Sequence, residues 1–225
     1  MATHPLWTDE YWLLLMQLYL RKPEGVKPVY NRQMVELALE LHIPPQFLNQ
    51  QMFRLRTIDT PRIQRLWDTY GQNPKKLARG VKLLRQKVGY GNASLFYDGV
   101  DVNETWEKDF KPIELSGGAR NQGNLAGLMP VTLILILDLY FRLTPITMVV
   151  GTPEITELAR LTKTSAKLVV EVMEIYQFCD PYLNRNDFMT SPLLNPCQQV
   201  WQRFGNDNPQ KLAAFAAQLK DYFGN

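Results

Sequence analysis

Two stretches of this chain use nearly the same words. GQNPKKLA fills residues 71–78 and GNDNPQKLA fills residues 205–213. Internal repetition constrains a fold strongly, because it signals one structural unit built twice. The correspondence extends upstream. LYLR (18–21) matches LYFR (139–142) at an offset of 121. The same offset pairs Met34 with Ile155, Glu36 with Glu157, Leu37 with Leu158, Ala38 with Ala159, Leu48 with Val169, Met52 with Met173 and Asp59 with Asp180. After Asp59 the second copy carries about 13 extra residues, within PYLNRNDFMTSPLLNP. Trp67 then pairs with Trp201, Gly71 with Gly205, and Asn73-Pro74 with Asn208-Pro209. The chain is therefore divided into a first repeat (about 1–91), a connector (about 92–127) and a second repeat (about 128–225).

Each repeat reads as about five short helices, and the fold class as all-α. In the first repeat, apolar residues recur at helical spacing over 8–21 and 31–41, with Thr8 and Asn31 as caps. HIPPQ (42–46) reads as a tight turn, since residues before proline avoid helical geometry. Pro45 opens a third helix running to about Leu55, and further helices are expected over 61–70 and 74–88. The second and third helices thus form a helix-turn-helix-like pair. The second repeat follows the same plan. Thr152 and either Thr164 or Ser165 serve as caps, Lys163 stands in the turn, and Ala159 sits where two helices approach closely. The repeated phrase marks the start of each last helix, with Asn as cap and Pro in the first turn. In the connector, Asp98-Gly99 leaves room for one short hairpin, SGGARNQGN reads as a flexible linker, and Trp106 and Phe110 are spaced to pack.

Charge separates the two copies. The first repeat holds 14 Lys and Arg against 7 Asp and Glu, a net of +7. The connector nets −3 and the second repeat −1, within a chain total of +3. On the third helix, Leu48, Met52 and Leu55 point to the core, while Gln46, Asn49, Gln50 and Phe53 point outward beside Arg54 and Arg56. Amides and guanidinium groups are what base edges and phosphates recognise. On the last helix, Lys75, Arg79 and Lys82 form an exposed stripe. Leu77, Val81, Leu84 and Val88 form the buried one. The second repeat has Lys167, Val170, Glu171 and Glu174 outward on its third helix, which would face phosphates unfavourably. Its last helix carries Gln210, Ala214 and Ala217 where the first has Lys75, Arg79 and Lys82. That face, around Ala213, Ala214, Ala216 and Ala217, suits packing in a homodimer or between the repeats.

Catalytic patterns are missing from the sequence. There are two histidines, His4 and His42, and no metal-ligand spacing, phosphate loop or nucleophile elbow. Asp98, Asp101, Asn103 and Glu104 read as a solvated turn, out of register for calcium. No catalytic residue, metal or cofactor is expected. Cys179 and Cys197 read as reduced thiols, with a bridge left geometrically open. The N-terminal apolar run follows Asp9 and Glu10 where a signal peptide carries Lys or Arg, with no small-residue cleavage site after it, and the run at 128–141 is too short for a membrane span of ~20 residues; both read as buried helices, and no membrane partner and a cytoplasmic location are expected.

WTDEYWLLLMQLYL at the start, LNQQMFRLRTID in the third helix, GNAS (91–94) and WEKDF (106–110) together carry a family resemblance. Residues ~1–110 resemble a helical domain found N-terminal to HNH-type endonuclease modules. The resemblance implies an accessory role in recognising nucleic acid. Residues 60–88 would be an insertion, and no histidine follows His42, so cleavage does not carry over. The resulting expectation is a non-catalytic nucleic-acid-binding protein, a DNA-binding regulator or accessory factor with duplex DNA as ligand. Gln46, Asn49, Gln50 and Arg54 would read bases, and Arg56, Lys75, Arg79 and Lys82 would hold phosphates. The competing expectation is an interaction or scaffold protein with no nucleic-acid role.

Overall fold

A computed structural model describes residues 4–91, 105–114, 125, 127–183 and 189–224. The hairpin expected at Asp98-Gly99, the acidic turn at 98–104 and most of the connector lie outside these residues. The regular secondary structure of the described residues is all helical, with no strand. In chain order the α-helices are α1 (Trp12–Tyr19), α2 (Arg32–Leu41), α3 (Pro45–Thr57), α4 (Pro61–Tyr70), α5 (Pro74–Arg85) and α6 (Thr105–Asp109). They continue with α7 (Pro130–Tyr140), α8 (Pro153–Thr162), α9 (Ala166–Cys179), α10 (Leu194–Phe204) and α11 (Pro209–Leu219). Among the described residues, no helix is long and apolar enough to cross a membrane. The chain divides into two compact units, Met1–Glu107 and Lys108–Asn225.

In the first unit α1 is the packing centre. Trp12, Leu14, Leu15, Met16 and Leu18 are buried, and α3 and α5 both pack against it. The expected helix over 8–21 is shorter at both ends. Asp9–Tyr11 form a 3-10 turn, and Thr8 makes no side-chain cap bond. Asn31 does cap α2, its Oδ1 accepting the Gln33 N–H at 3.1 Å. α2 stops at His42, which takes the left-handed conformation at φ 55° and ψ 37°. Ile43 drops into the core and Pro44-Pro45 start α3, whose Leu48, Met52 and Leu55 are fully buried. At the end of α3, the Trp67 indole N–H from α4 donates to the Leu55 carbonyl at 2.9 Å. Trp106 packs on this core, and Glu107 Oε1 lies 3.0 Å from His42 Nδ1.

In the second unit α7 takes the central place. Every residue from Val131 to Tyr140 is buried, as expected of a helix that is apolar all round. α8, α9, α10 and α11 all pack against it. Its one acid, Asp138, accepts from Arg142 at 2.7 Å. α8 ends at Lys163, again left-handed, at φ 57° and ψ 36°. Ser165, not Thr164, caps α9 by accepting the Leu168 N–H at 3.1 Å. Asp109 holds Arg203 with two hydrogen bonds of 2.6 and 2.9 Å, and the Phe110 ring lies 5.0 Å from that of Tyr222. Cys179 and Cys197 are free thiols. Burial pushes Cys179 up to about 11 and Cys197 higher still, so neither is a thiolate near neutrality.

Matched features recur in the two units. The left-handed turn residues His42 and Lys163 stand 121 positions apart. Trp67 packs edge-on to Tyr19 at 5.6 Å, and Trp201 packs on Tyr140 at 5.9 Å. Gly71 and Gly205 each sit on the tryptophan one turn earlier. A methyl group on Gly71 would come within 2.7 Å of the Trp67 carbonyl oxygen, and one on Gly205 within 2.6 Å of the Trp201 ring.

Candidate nucleic-acid interface

The outward face of α3 differs in part from its expected chemistry. Gln46 and Gln50 are exposed, as is Phe53. Gln46, however, donates to the Tyr30 hydroxyl. Asn49 is half-buried and turned inward, its amide donating to the Lys27 carbonyl at 2.8 Å. That bond belongs to the loop before α2. Lys27 is itself buried, its Nζ donating to the carbonyls of Arg21 and Pro23. Burial lowers its pKa. Asn49 therefore ties a loop down and is not a free reader.

Arg54 is likewise occupied. Its Nε donates to Asp59 Oδ2 at 2.6 Å, its guanidinium also donates to Gln51 Oε1 at 3.0 Å, and it lies 5.7 Å over the Trp12 ring. Of the four expected base readers, Gln50 alone is both exposed and without a hydrogen bond among the described residues. Asp59, five residues past Arg54, was a signal within reach of sequence reasoning. Lys27 and Tyr30 were not, lying 22 and 16 residues away from the amides they bind.

The basic residues of the last helix split into two groups. Arg85 is held by Glu40 at 2.7 and 2.9 Å, Lys87 by Glu10 at 2.7 Å, and Lys76 lies 5.4 Å over the Tyr70 ring. Lys75, Arg79 and Lys82 are exposed and, among the described residues, make no hydrogen bond or ion pair; Arg56 at the end of α3 is the same. Leu77, Val81 and Leu84 form the buried stripe, as expected. Val88 does not belong to it: α5 ends at Arg85 and Val88 is 100% exposed. The chain turns there to bring Lys87 to Glu10 and Tyr90 to Glu40.

The second unit lacks this charge at the matching positions. Gln210, Ala214 and Ala217 are exposed at the positions of Lys75, Arg79 and Lys82. Ala213 is exposed as well, but Ala216 is fully buried and is no part of that face. On α9, Lys167, Glu171 and Glu174 are exposed.

Each unit also has a small cleft. In the first, about 150 Å³ is lined by residues that include Leu18, Arg21, Glu36, Leu37 and Arg85. In the second, about 120 Å³ is lined by Leu139, Arg142, Glu157, Leu158 and Lys220 among others. The first four of each set are again 121 positions apart. Glu36 is paired with Arg32 at 3.1 Å, while Glu157 makes no ion pair among the described residues. Among the described residues, no group of His, Cys, Asp and Glu is arranged to hold a metal. No family model, curated protein or solved structure matches the chain. The resemblance to the HNH-associated helical domain rests on the residues quoted above alone.

Proposed function

We propose that the chain is a non-catalytic nucleic-acid-binding protein, a regulator or accessory factor that holds duplex DNA mainly by its phosphates. One observation carries this reading: Lys75, Arg79 and Lys82 share an exposed face of α5 and have no intramolecular partner among the described residues. Five other cations of the same unit are already paired. Arg32, Arg54, Arg62, Arg85 and Lys87 are each neutralised by a carboxylate. Residues at i, i+4 and i+7 span about 10 Å of helix, enough to meet successive phosphates. Arg56 adds a fourth charge from the end of α3.

The α3 contribution is smaller than its composition implies, since Asn49 and Arg54 are engaged within the unit. Gln50 and Gln46 remain at the surface as candidate base contacts. The expected binding is therefore strongly salt-dependent and weakly sequence-dependent.

Fluorescence anisotropy on a random duplex tests this. Four phosphate contacts would weaken binding on the order of 100-fold between 50 and 200 mM salt. The triple variant Lys75→Glu, Arg79→Glu, Lys82→Glu should abolish it. The matched variant Gln210→Glu, Ala214→Glu, Ala217→Glu should leave it nearly unchanged. No salt-sensitive binding at tens of micromolar protein would sink the proposal.

A further inference from the structure

Resting on the nucleic-acid reading above, we propose that Phe53 of α3 stacks on a base that has left its helical stack, so that the ligand this chain selects is one offering unstacked bases. Among the described Phe, Trp and Tyr side chains of the first unit, Phe53 alone is exposed, at 49%. Other rings of the unit are used in packing. Trp7 and Trp12 meet edge-on at 5.2 Å, Tyr11 and Tyr90 at 6.0 Å, and Tyr19 and Trp67 at 5.6 Å. Phe53 has no ring or cation against it among the described residues.

The helix holds this ring from behind. Leu48, Met52 and Leu55 are fully buried, and the Thr57 hydroxyl donates to the Phe53 carbonyl at 3.2 Å. Helical period then sets what stands beside the ring. Gln46, Gln50, Phe53 and Arg56 fall within about 120° of arc at 3.6 residues per turn, and all four are exposed. Gln50 and Arg56 make no hydrogen bond or ion pair among the described residues. Residues 45–57 contain no Asp or Glu. The next acid along the chain, Asp59, is neutralised by Arg54 at 2.6 Å.

One nucleotide answers the whole arc. Its base gives the ring a π-face, the base edge gives the Gln50 amide donors and acceptors, and its phosphate gives Arg56 a counter-charge. An apolar partner would cover the ring but strip water from the amide and the guanidinium without pairing them. A carboxylate partner would answer Arg56 and leave the ring uncovered. In intact duplex the base faces are buried against one another, so the ring reaches one only where a step opens. Opening costs least at a mismatch and in a single strand. The second unit lacks every part of this arc. Lys167, Glu171, Glu174 and Gln177 stand at the positions of Gln46, Gln50, Phe53 and Arg56, and Gln177 is buried.

Anisotropy titrations of the full chain test this on three labelled oligonucleotides: a perfect duplex, the same duplex with a central mismatch, and one strand alone. The unaltered chain should prefer the mismatched duplex or the single strand to the perfect duplex by about tenfold. The tighter of the two identifies the source of the unstacked base. Phe53→Ala should remove that preference, losing about tenfold on the tighter ligand with its salt slope unchanged, since no charge is lost. Phe53→Trp should keep the preference, and both variants should keep the helical circular dichroism of the unaltered chain. Equal affinity for all three oligonucleotides overturns the proposal and leaves the phosphate contacts of α5 standing. So does a preference that Phe53→Ala leaves intact. Loss of the fold in Phe53→Ala would make the ring a packing residue, which also overturns it. No binding to any of the three overturns the nucleic-acid reading as well.

Discussion

α5 and α11 open on the same words and end as different surfaces. Asn73 and Asn208 cap them, with Oδ1 accepting the Lys76 N–H at 3.1 Å and the Gln210 N–H at 2.8 Å. Pro74 and Pro209 occupy the first turn, and Leu77 and Leu212 are buried. The shared letters are those that start the helix and seat it. The letters that differ lie on the solvent face, where Lys75 and Arg79 become Gln210 and Ala214. A fold can be held constant by a few inward and terminal residues while its outer face is rewritten. Under the proposed function, the difference in binding between the two units lies in the rewritten part.

The firmest way to break this comparison is at its glycines. Gly71 and Gly205 are in right-handed helical conformation, so alanine would suit their backbones. Their side of the chain is filled by tryptophan. Alanine at Gly205 would meet three atoms of the Trp201 ring at 2.6 to 2.7 Å, and alanine at Gly71 would meet Trp67 at 2.7 and 2.8 Å. Each substitution should cost about 1–3 kcal/mol, the usual range for overpacking. Chemical denaturation of the two variants checks it. A neutral result at either site would show that the shared glycine is not there to seat the tryptophan.

Next in size are the caps. Asn73→Ala and Asn208→Ala should each destabilise by about 1 kcal/mol, measurable as a shift in urea midpoint. Equal losses would confirm that the shared phrase does the same job twice. A loss at one site alone would separate the copies.

The helices and their caps were legible because their signals are local. Asn-Pro, Pro-Pro and apolar spacing act within a turn or two of themselves, and six of the described α-helices begin on a proline. The buried faces of α3 and α5 followed from helical period, apart from Val88, which lies past a helix end that carries no glycine or proline signal. The candidate site was less legible. Whether an outward amide is free depends on what approaches it in space. Asn49 is taken by the carbonyl of Lys27, and nothing in the pattern of α3 announces that. The charged stripe on α5 was readable because exposure and the lack of nearby carboxylates on the same helix are both properties of the helix itself. The exposed apolar turns at 145–150 and 181–183 went unread, since an apolar run reads as core until its neighbours are known.

The turn between the second and third helices of each unit offers a finer contrast. His42 and Lys163 share the left-handed conformation, which costs a side-chain-bearing residue roughly 1 kcal/mol relative to glycine. Lys163 is exposed and makes no side-chain bond among the described residues, so Lys163→Gly should stabilise by about 0.5–1 kcal/mol. His42 also touches the buried Glu107. His42→Gly relieves the same strain but loses that contact, and should be neutral or destabilising. Thermal denaturation of both variants checks the difference in sign. Equal gains would mean the imidazole contributes nothing to holding Glu107.

The smallest effect concerns one shared lysine. Lys76 and Lys211 occupy the same place in the phrase and interact by different physics. Lys76 lies 5.4 Å over the Tyr70 ring, and Lys211 Nζ lies 3.6 Å from Asp207 on an open surface. An exposed cation–π contact contributes about 0.5 kcal/mol, and an exposed i, i+4 ion pair about 0.3 kcal/mol. The two differ in their response to salt. The carboxylate at Asp207 is a full charge in high dielectric and is screened as the Debye length shrinks to about 3 Å at 1 M. The ring quadrupole of Tyr70 acts over the short range where few ions fit. Lys211→Ala should therefore cost less at 1 M salt than at 0.05 M, while Lys76→Ala keeps most of its cost. Equal salt response would place both lysines in the same solvated class and leave the phrase with one conserved start and no local divergence at this position.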